Sequence, residues 1–224
     1  MGPTTLIDRR IFLSGAGALL ASACTQSAPA PKPVAAAPLP RLMLVPETPE
    51  PFPVAAVDLA KVPPQFHRQM VADPTGEPPG TVVIDTGARY LYLVMEGGMA
   101  MRYGVGIGRD GFEWNGDAVV GDRQEWPKWF PPKEMIERQP ELAEYANGMD
   151  GGPANPLGAR ALYLYQGRKD TLYRIHGTAE VASIGRAVSS GCVRLLNADV
   201  IDLYNRVPLG ARVVVLPPAQ TLAV

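Results

Sequence analysis

The sequence predicts a mainly β domain, a sandwich-like mixed β-sheet with one C-terminal helix and an inserted lid. Three observations predict it. Short runs rich in β-branched and aromatic residues recur from about residue 80, the chain contains 24 prolines and 23 glycines, and a helical spacing of apolar residues appears near the C terminus. With 224 residues, 46% of them apolar, the chain is long enough to bury one good core.

Charge and motif content exclude several classes of function. The formal net charge is −1 at pH 7, which gives the chain no electrostatic reason to bind nucleic acid. No glycine-rich phosphate loop of the usual pattern is present, and the two histidines, His67 and His176, are too widely separated to make a good zinc set. The sequence therefore predicts no cofactor and no metal site.

Residues 1–24 have the pattern of an export signal. Arg9 and Arg10 precede an apolar run from residue 11 to residue 23, shorter than the roughly 20 residues that span a bilayer. The paired arginines resemble a twin-arginine signal, and Cys24 stands where a bacterial lipoprotein carries its lipid. Lipidation of Cys24 and simple cleavage of the signal stay open as alternatives. In either case Cys192 is left as the free thiol of an exported chain.

Residues 25–79 are predicted to form a Pro/Ala-rich linker and an N-terminal extension. The first part, to residue 53, has no sustained apolar period and is expected to be extended and disordered. Residues 54–79 are ambiguous in pattern, and within them residues 62–69 are interpreted as a segment that lies across the domain surface. The compact domain is expected to span residues 80–217, with a C-terminal tail at 218–224.

The domain opens with three expected strands. Two apolar runs, Thr81–Asp85 and Arg89–Met95, are separated by a short turn. Gly97 and Gly98 then allow a tight turn into Met99–Ile107, which predicts a hairpin.

The stretch from residue 109 to residue 158 is dense in turn residues and is interpreted as an inserted lid or binding wall. Residues 133–146 favour a helix that Pro140 breaks or restarts. All three tryptophans fall in this stretch. Trp129 is the preferred candidate for lining a substrate cleft, and local packing of the loop is the alternative.

The remaining elements follow in order. Two runs, Leu157–Tyr165 and Thr171–His176, predict a strand pair with His176 at a strand end. Asn197 is expected to cap a helix that continues to about residue 206, where apolar residues repeat at helical spacing. Arg212–Leu216 is interpreted as a last buried strand.

One short segment joins His176 to Cys192, which follows it by 16 positions. An imidazole beside a thiol can take its proton and so activate it as a nucleophile. Ser189, Ser190 and Gly191 place small residues ahead of the cysteine, where backbone N–H groups can approach a developing oxyanion.

Arg194 lies two positions after Cys192 and offers a fixed positive charge for a substrate carboxylate. A structural salt bridge is the alternative role for Arg194.

The residues HGT from position 176 and SSGCVRL from position 189 resemble the signature of the L,D-transpeptidase (YkuD-type) family. That signature is a histidine, a gap of about fifteen residues, then Ser/Thr-His-Gly-Cys, a hydrophobic residue and Asn or Arg. The resemblance extends from about residue 80 to residue 216. Ser190 departs from it, since the family carries a second histidine there.

The resemblance implies a periplasmic enzyme that acts on peptidoglycan stem tetrapeptides through a thioester on Cys192. It further implies that His176 is the catalytic base and that the Gly177 carbonyl orients the imidazole as the third member of the site. The acyl acceptor is either a second stem or a lysine of an outer-membrane protein or lipoprotein. A hydrolase that uses the same thioester and a non-catalytic wall-binding module stay open as alternatives.

Overall fold

The computed structural model describes residues 43–46, 49–108, 115–189, 191–218 and 222. Its strands are β1 Met43–Leu44, β2 Val57–Asp58, β3 Gln69–Ala72, β4 Val82–Asp85, β5 Tyr90–Met95, β6 Met99–Gly104, β7 Ile107–Gly108, β8 Gly116–Glu125, β9 Arg160–Gln166, β10 Lys169–Thr178, β11 Ala187–Ser189, β12 Val193–Leu196 and β13 Arg212–Leu216. Two α-helices are present in these residues, α1 Lys133–Arg138 and α2 Asn197–Arg206. Neither is long and apolar enough to span a membrane. Five 3₁₀ segments complete the elements, at Leu59–Lys61, Pro64–Phe66, Glu96–Gly98, Pro140–Tyr145 and Val181–Ser183.

Nine strands form one mixed sheet in the order β12-β10-β9-β8-β13-β4-β5-β6-β3. The pairs β10–β12 and β13–β4 are parallel, and the other neighbours are antiparallel. Two small sheets, β1–β2 and β7–β11, lie outside it. The predicted mainly β class with a mixed sheet is therefore confirmed.

One hydrophobic core is shared by both halves of this sheet. Leu91 and Tyr103 of β5 and β6 pack in the same buried cluster as Leu162 and Ile175 of β9 and β10. Leu203 of α2 belongs to it as well. Both halves of the sheet and helix α2 therefore bury apolar side chains in one core.

The predicted hairpin is present as β5 and β6, paired from Tyr90–Gly104 to Met95–Met99. Gly97 and Gly98 in its turn have φ values of +75° and +69°, which glycine adopts without steric cost. The C-terminal helix and last strand also lie where the sequence predicts them.

The stretch interpreted as an irregular lid contains a long strand. β8 spans ten residues and lies between β9 and β13 in the sheet. Its inner face carries Ala118 and Val120, which are buried, whereas Val119 is 36% exposed. The sequence signal for a strand at β8 is weak, because only two of its apolar side chains face inward and the other residues are mainly glycine or charged. After it, α1 and the following 3₁₀ segment are separated at Pro140, as the sequence predicts.

His176 does not end its strand, so this prediction is wrong. β10 continues through Gly177 and Thr178, which pair with Leu195 and Leu196 of β12. Glycine has a low strand propensity, and the partner strand that holds it here lies far along the chain.

The segment before residue 80 packs on the sheet instead of only leading to it. β3 pairs with β6 and forms an edge of the sheet. Glu50, in the stretch expected to be extended, has a side chain only 4% exposed and binds Arg160 through both carboxylate oxygens at 2.6 and 2.8 Å. Its carboxylate also accepts a hydrogen bond of 2.9 Å from the Trp126 indole N–H.

Arg68 attaches the same segment to the body of the protein, whereas His67 bonds within the segment itself. His67 Nε2 lies 2.9 Å from the Val62 carbonyl oxygen, which is a structural contact. Arg68 bridges Asp202 at 2.9 Å and Asp199 at 3.5 Å on α2. Burial raises the pKa of Asp199 to about 7, despite the opposing charge of Arg68.

Glu50→Ala is expected to lower the free energy of unfolding by about 3–5 kcal/mol, because it leaves the buried Arg160 guanidinium with only the more distant, exposed Glu125 carboxylate at 3.7 Å. Urea denaturation followed by tryptophan fluorescence measures the change. The matched control is Glu77→Ala, which removes a carboxylate that pairs with the half-exposed Arg212. We expect that control to lose less than about 1 kcal/mol, and equal small losses in both variants would contradict the assignment.

Candidate active site

The predicted base and nucleophile, His176 and Cys192, belong to or directly precede two neighbouring parallel strands. β10 carries His176, and β12 begins directly after Cys192. Ile175 pairs with Val193, and His176 pairs with Arg194. Because side chains alternate along a strand, the pair Ile175 and Val193 enters the core while His176, Cys192 and Arg194 share the opposite face. The register of this strand pair therefore creates the site.

The His176 ring is held by backbone carbonyls. Nδ1 lies 2.8 Å from the Gly177 carbonyl oxygen, and since a carbonyl only accepts, Nδ1 carries the proton. The neutral imidazole then has its lone pair on Nε2, the nitrogen that can receive a proton. The expected bond to the Gly177 carbonyl is thus present, and it selects the tautomer that a general base needs.

Burial lowers the pKa of His176 to about 4. The positive charges of Arg194 and Arg174 act in the same direction, while the carbonyls of Gly177 and Leu157 oppose them. At neutral pH the imidazole is therefore uncharged and free to accept a proton.

The Cys192 thiol is in an environment that keeps it protonated. Its sulfur lies 4.0 Å from the Leu172 carbonyl oxygen. Burial raises the pKa of the Cys192 thiol, and the backbone N–H of Arg174 with the charges of Arg174 and Arg194 opposes that shift. At neutral pH the thiol is therefore protonated and the imidazole of His176 is uncharged.

A bulge in β10 puts backbone groups against the sulfur. The pairing with β9 shifts between Asp170 and Arg174, and Leu172 within the bulge has φ of +64°. This conformation is uncommon for a residue with a side chain and marks local strain. Its consequence is that the Leu172 carbonyl and the Arg174 N–H both face Cys192.

The turn before Cys192 is closed by a serine hydroxyl. Ser189 Oγ donates to the Cys192 carbonyl at 2.7 Å and accepts the Gly191 N–H at 3.3 Å. Gly191 has φ of +127°, and a Cβ on Gly108 would lie 2.8 Å from the Gly191 Cα, so both positions require glycine. Ser190 lies outside the described residues.

These contacts give Ser189 an internal role and engage the Gly191 N–H. The contact of Ser189, Ser190 and Gly191 with a substrate or an oxyanion stays a prediction.

Two arginines flank the pair. Arg174 binds Asp170 through both terminal nitrogens at 2.7 and 2.8 Å and lies 4.3 Å above the Tyr163 ring. Arg194 donates from one terminal nitrogen to Glu180 at 2.9 Å. The salt bridge weighed in the sequence as the alternative role of Arg194 thus exists, and its partner is mostly exposed.

Trp129 is half-buried, and its backbone pairs in both directions with Met149 at 2.8 and 2.7 Å. The buried tryptophan is Trp126, whose ring packs 4.9 Å from that of Phe52. The placement of Trp129 in a substrate cleft stays a prediction, and Trp114 lies outside the described residues.

Asn155 supports the histidine and was missed by sequence reasoning. Its side-chain nitrogen donates to the carbonyls of Pro127, Met149 and Asp150 at 2.9 to 3.1 Å, and its oxygen accepts the Leu157 N–H at 2.8 Å. Asn155 thereby joins the inserted stretch to the turn whose Leu157 carbonyl faces His176. The turn sequence Asn-Pro-Leu-Gly was the available signal, since asparagine side chains commonly bond the backbone two residues on.

Asn197 is the second missed residue. The sequence predicts that Asn197 caps α2, and this prediction is wrong. Asn197 is the first residue of the helix, and its Oδ1 accepts the Ala159 N–H at 2.9 Å. The same oxygen packs against Gly158 and Gly177, where a Cβ would approach it to 2.3 and 2.2 Å. Asn197 thus holds the turn beside the carbonyl that orients His176.

Within the described part of the chain, no group of three or more His, Cys, Asp or Glu side chains is placed to hold a metal ion. The chemistry of the face around Cys192 is that of a thiol, an imidazole and two guanidinium groups.

Comparison with known proteins gives one family. Residues 79–215 match the family model of YkuD, the L,D-transpeptidase catalytic domain. A probable L,D-transpeptidase ErfK/SrfK of Escherichia coli K12 is 36% identical over 143 residues, 61% of this chain and 44% of that protein. A putative L,D-transpeptidase in the ATP synthase subunits region of Fuscovulum blasticum is 33% identical over 146 residues, 64% of this chain and 72% of that protein.

The chain therefore spans less than half the length of the Escherichia coli relative. A crystal structure from Brucella melitensis, described as a probable carnitine operon oxidoreductase caia, is 52% identical and covers 71% of this chain and 99% of that one. The TM-score of that structure is 0.49.

The rate of Cys192 alkylation by iodoacetamide is expected to rise about tenfold per pH unit from about pH 6 to pH 9. Burial raises the thiol pKa, so the folded protein deprotonates at higher pH than the urea-unfolded chain. A Cys24→Ser variant leaves one thiol to follow by mass spectrometry. A rate that is already level near pH 7 would show a preformed thiolate and contradict this assignment.

Asn197→Ala is expected to lower the free energy of unfolding by about 1–3 kcal/mol, because the Ala159 N–H loses its acceptor. Asn197→Asp retains an acceptor in the first turn of a helix and should lose less. Chemical denaturation of both variants measures the difference. Equal losses would show that the bond to Ala159 does not matter for stability.

Proposed function

Because the chain belongs to the YkuD family of L,D-transpeptidase catalytic domains, we propose that it is a peptidoglycan L,D-transpeptidase that acts through a thioester on Cys192. The observation that supports the proposal is the parallel pairing of β10 with β12: the buried His176 belongs to β10, and Cys192, the only cysteine of residues 25–224, directly precedes β12.

The proposed substrate is the stem tetrapeptide of peptidoglycan. Cys192 attacks the carbonyl that links the L-centre of the third residue, a diamino acid, to the terminal D-alanine. His176 Nε2 takes the thiol proton as the sulfur attacks, and the new S–C bond gives a tetrahedral intermediate. The imidazolium then gives that proton to the departing amine, the C–N bond breaks, and D-alanine leaves behind a thioester.

The second half reverses the roles. His176 takes a proton from the acceptor amine, which attacks the thioester carbonyl, and the C–S bond breaks as the sulfur recovers a proton. During both halves the imidazolium is buried, and the carbonyls of Gly177 and Leu157 are the groups that stabilise it. The Gly177 carbonyl is thus proposed as the third member of the catalytic group, acting on the ring and not on the substrate.

Substrate contacts are proposed for the residues around the sulfur. Arg194 lies on the same face as Cys192 and is proposed to pair with a stem carboxylate. Ser190 and Gly191 are proposed to border the oxyanion, with Ser189 fixing their turn. Trp129 is proposed to line the wall that the inserted stretch provides.

The cellular location of the protein and its acyl acceptor are further parts of the proposal. The export pattern of residues 1–24 lies outside the described residues and supports a periplasmic protein, with a lipid on Cys24 or none. The acceptor is proposed to be the side-chain amine of a second stem or a lysine of an outer-membrane protein or lipoprotein.

Mass spectrometry with a disaccharide-tetrapeptide, alone and with a second stem, tests the proposal. We expect an adduct on Cys192 with loss of D-alanine, then cross-linked dimers. Cys192→Ala should form no adduct while keeping the fold, because one small residue replaces another. An adduct that yields only tripeptide would favour the hydrolase, and no adduct from a folded protein with a reduced thiol would favour a binding module.

A further inference from the structure

The two arginines beside Cys192 are held very differently. The Arg174 side chain is 14% exposed, binds the Asp170 carboxylate with two terminal nitrogens, and also donates to the Tyr173 carbonyl at 3.0 Å. It lies over the Tyr163 ring as well. Arg174 is therefore committed to its own strand and its bulge.

Arg194 is held by one weak partner. Its one carboxylate contact among the described residues is Glu180, whose side chain is 61% exposed. Arg194 Nε is buried and has no hydrogen-bond partner in the described part of the chain. An exposed pair of this kind contributes little, so the Glu180 carboxylate can leave at small cost.

The backbone that carries Glu180 is fixed, whereas its side chain has, among the described residues, only the contact with Arg194. The Glu180 N–H donates to Thr178 Oγ at 3.0 Å, and its carbonyl accepts from the Ser183 N–H at 3.0 Å and from the Ser183 hydroxyl at 2.6 Å. Rotation of the side chain alone can therefore remove the carboxylate from Arg194 without moving the chain around His176.

The position of Arg194 in the sheet relates its contact with Glu180 to the candidate active site. Arg194 pairs in register with His176 and lies two residues after Cys192. The charge of Arg194 acts on the Cys192 thiol, whose pKa it lowers, and in the free protein the carboxylate bound to Arg194 is that of Glu180.

We propose that Glu180 occupies the carboxylate site of Arg194 in the free protein and is displaced by the carboxylate of an incoming substrate. The proposal rests on the proposed function, since the substrate is a peptide with a free carboxylate near the attacked bond. Glu180 then acts as a specificity-determining residue: an anionic ligand regains the Arg194 contact that Glu180 releases, and a neutral or amidated ligand does not.

Small alkylating reagents test this without peptidoglycan chemistry. Iodoacetate carries a carboxylate and iodoacetamide does not, and both react with the same sulfur. In the Cys24→Ser background, Glu180→Gln should raise the ratio of the iodoacetate rate to the iodoacetamide rate by about two- to five-fold at low salt. Glu77→Gln, which changes an acid paired with Arg212, is the matched control and should leave the ratio unchanged.

The effect must pass through Arg194. Adding Arg194→Gln to Glu180→Gln should return the ratio to the wild-type value or below it. An unchanged ratio in Glu180→Gln, or a rise that survives the loss of Arg194, would overturn the proposal. A rise that is equal for both reagents would also overturn it, because that result shows a general change in thiol reactivity.

A substrate arm separates this inference from the proposed function. Glu180→Gln should lower the tetrapeptide concentration for half-maximal thioester formation by about two- to five-fold, with no change for the C-terminal amide. A wild-type protein that forms no thioester would defeat the proposed function while the alkylation ratio still decides the role of Glu180. Thioester formation with identical concentration dependence in both proteins would overturn the role of Glu180 alone.

Discussion

The parallel pairing of β10 with β12 is the constraint on which the site depends. Ile175 and Val193 enter the shared core, and this fixes a register that puts His176, Arg194 and the preceding Cys192 on the other face. A slip of one residue would send these side chains into the core, so burial of the apolar partners specifies which residues lie on this face.

Burial also sets the protonation states. The same desolvation that lowers the pKa of His176 raises that of Cys192, so the ion pair is disfavoured in the resting protein. The backbone N–H of Arg174 and the carbonyls of Gly177 and Leu157 are positioned to favour the charged forms once they appear. Such fixed backbone dipoles need no reorganisation during reaction, which is the general advantage of a preorganised site.

Support for this arrangement comes from parts of the chain that lie far away in sequence. Asn155 joins the turn beside His176 to the inserted stretch, and Asn197 joins it to α2. Glu50 holds the N-terminal segment on Trp126 and Arg160, next to that stretch. The contacts of Asn155 with Pro127, Asn197 with Ala159 and Glu50 with Arg160 join residues 28, 38 and 110 positions apart, so composition or periodicity does not reveal them.

The sequence by itself determined the mainly β class, the β5–β6 hairpin, helix α2 and the last strand, and it predicts His176 and Cys192 as the reactive groups. These rest on local signals, namely alternation, glycine turns, helical spacing and the scarcity of cysteine and histidine. Only the tertiary structure decided that β8 is a strand and that β10 continues past His176. It also decided that the Glu50 side chain is buried and that Glu180 pairs with Arg194. The reason is physical: each of these depends on a partner brought close by the sheet, and a contact between distant residues leaves no periodic trace in either segment.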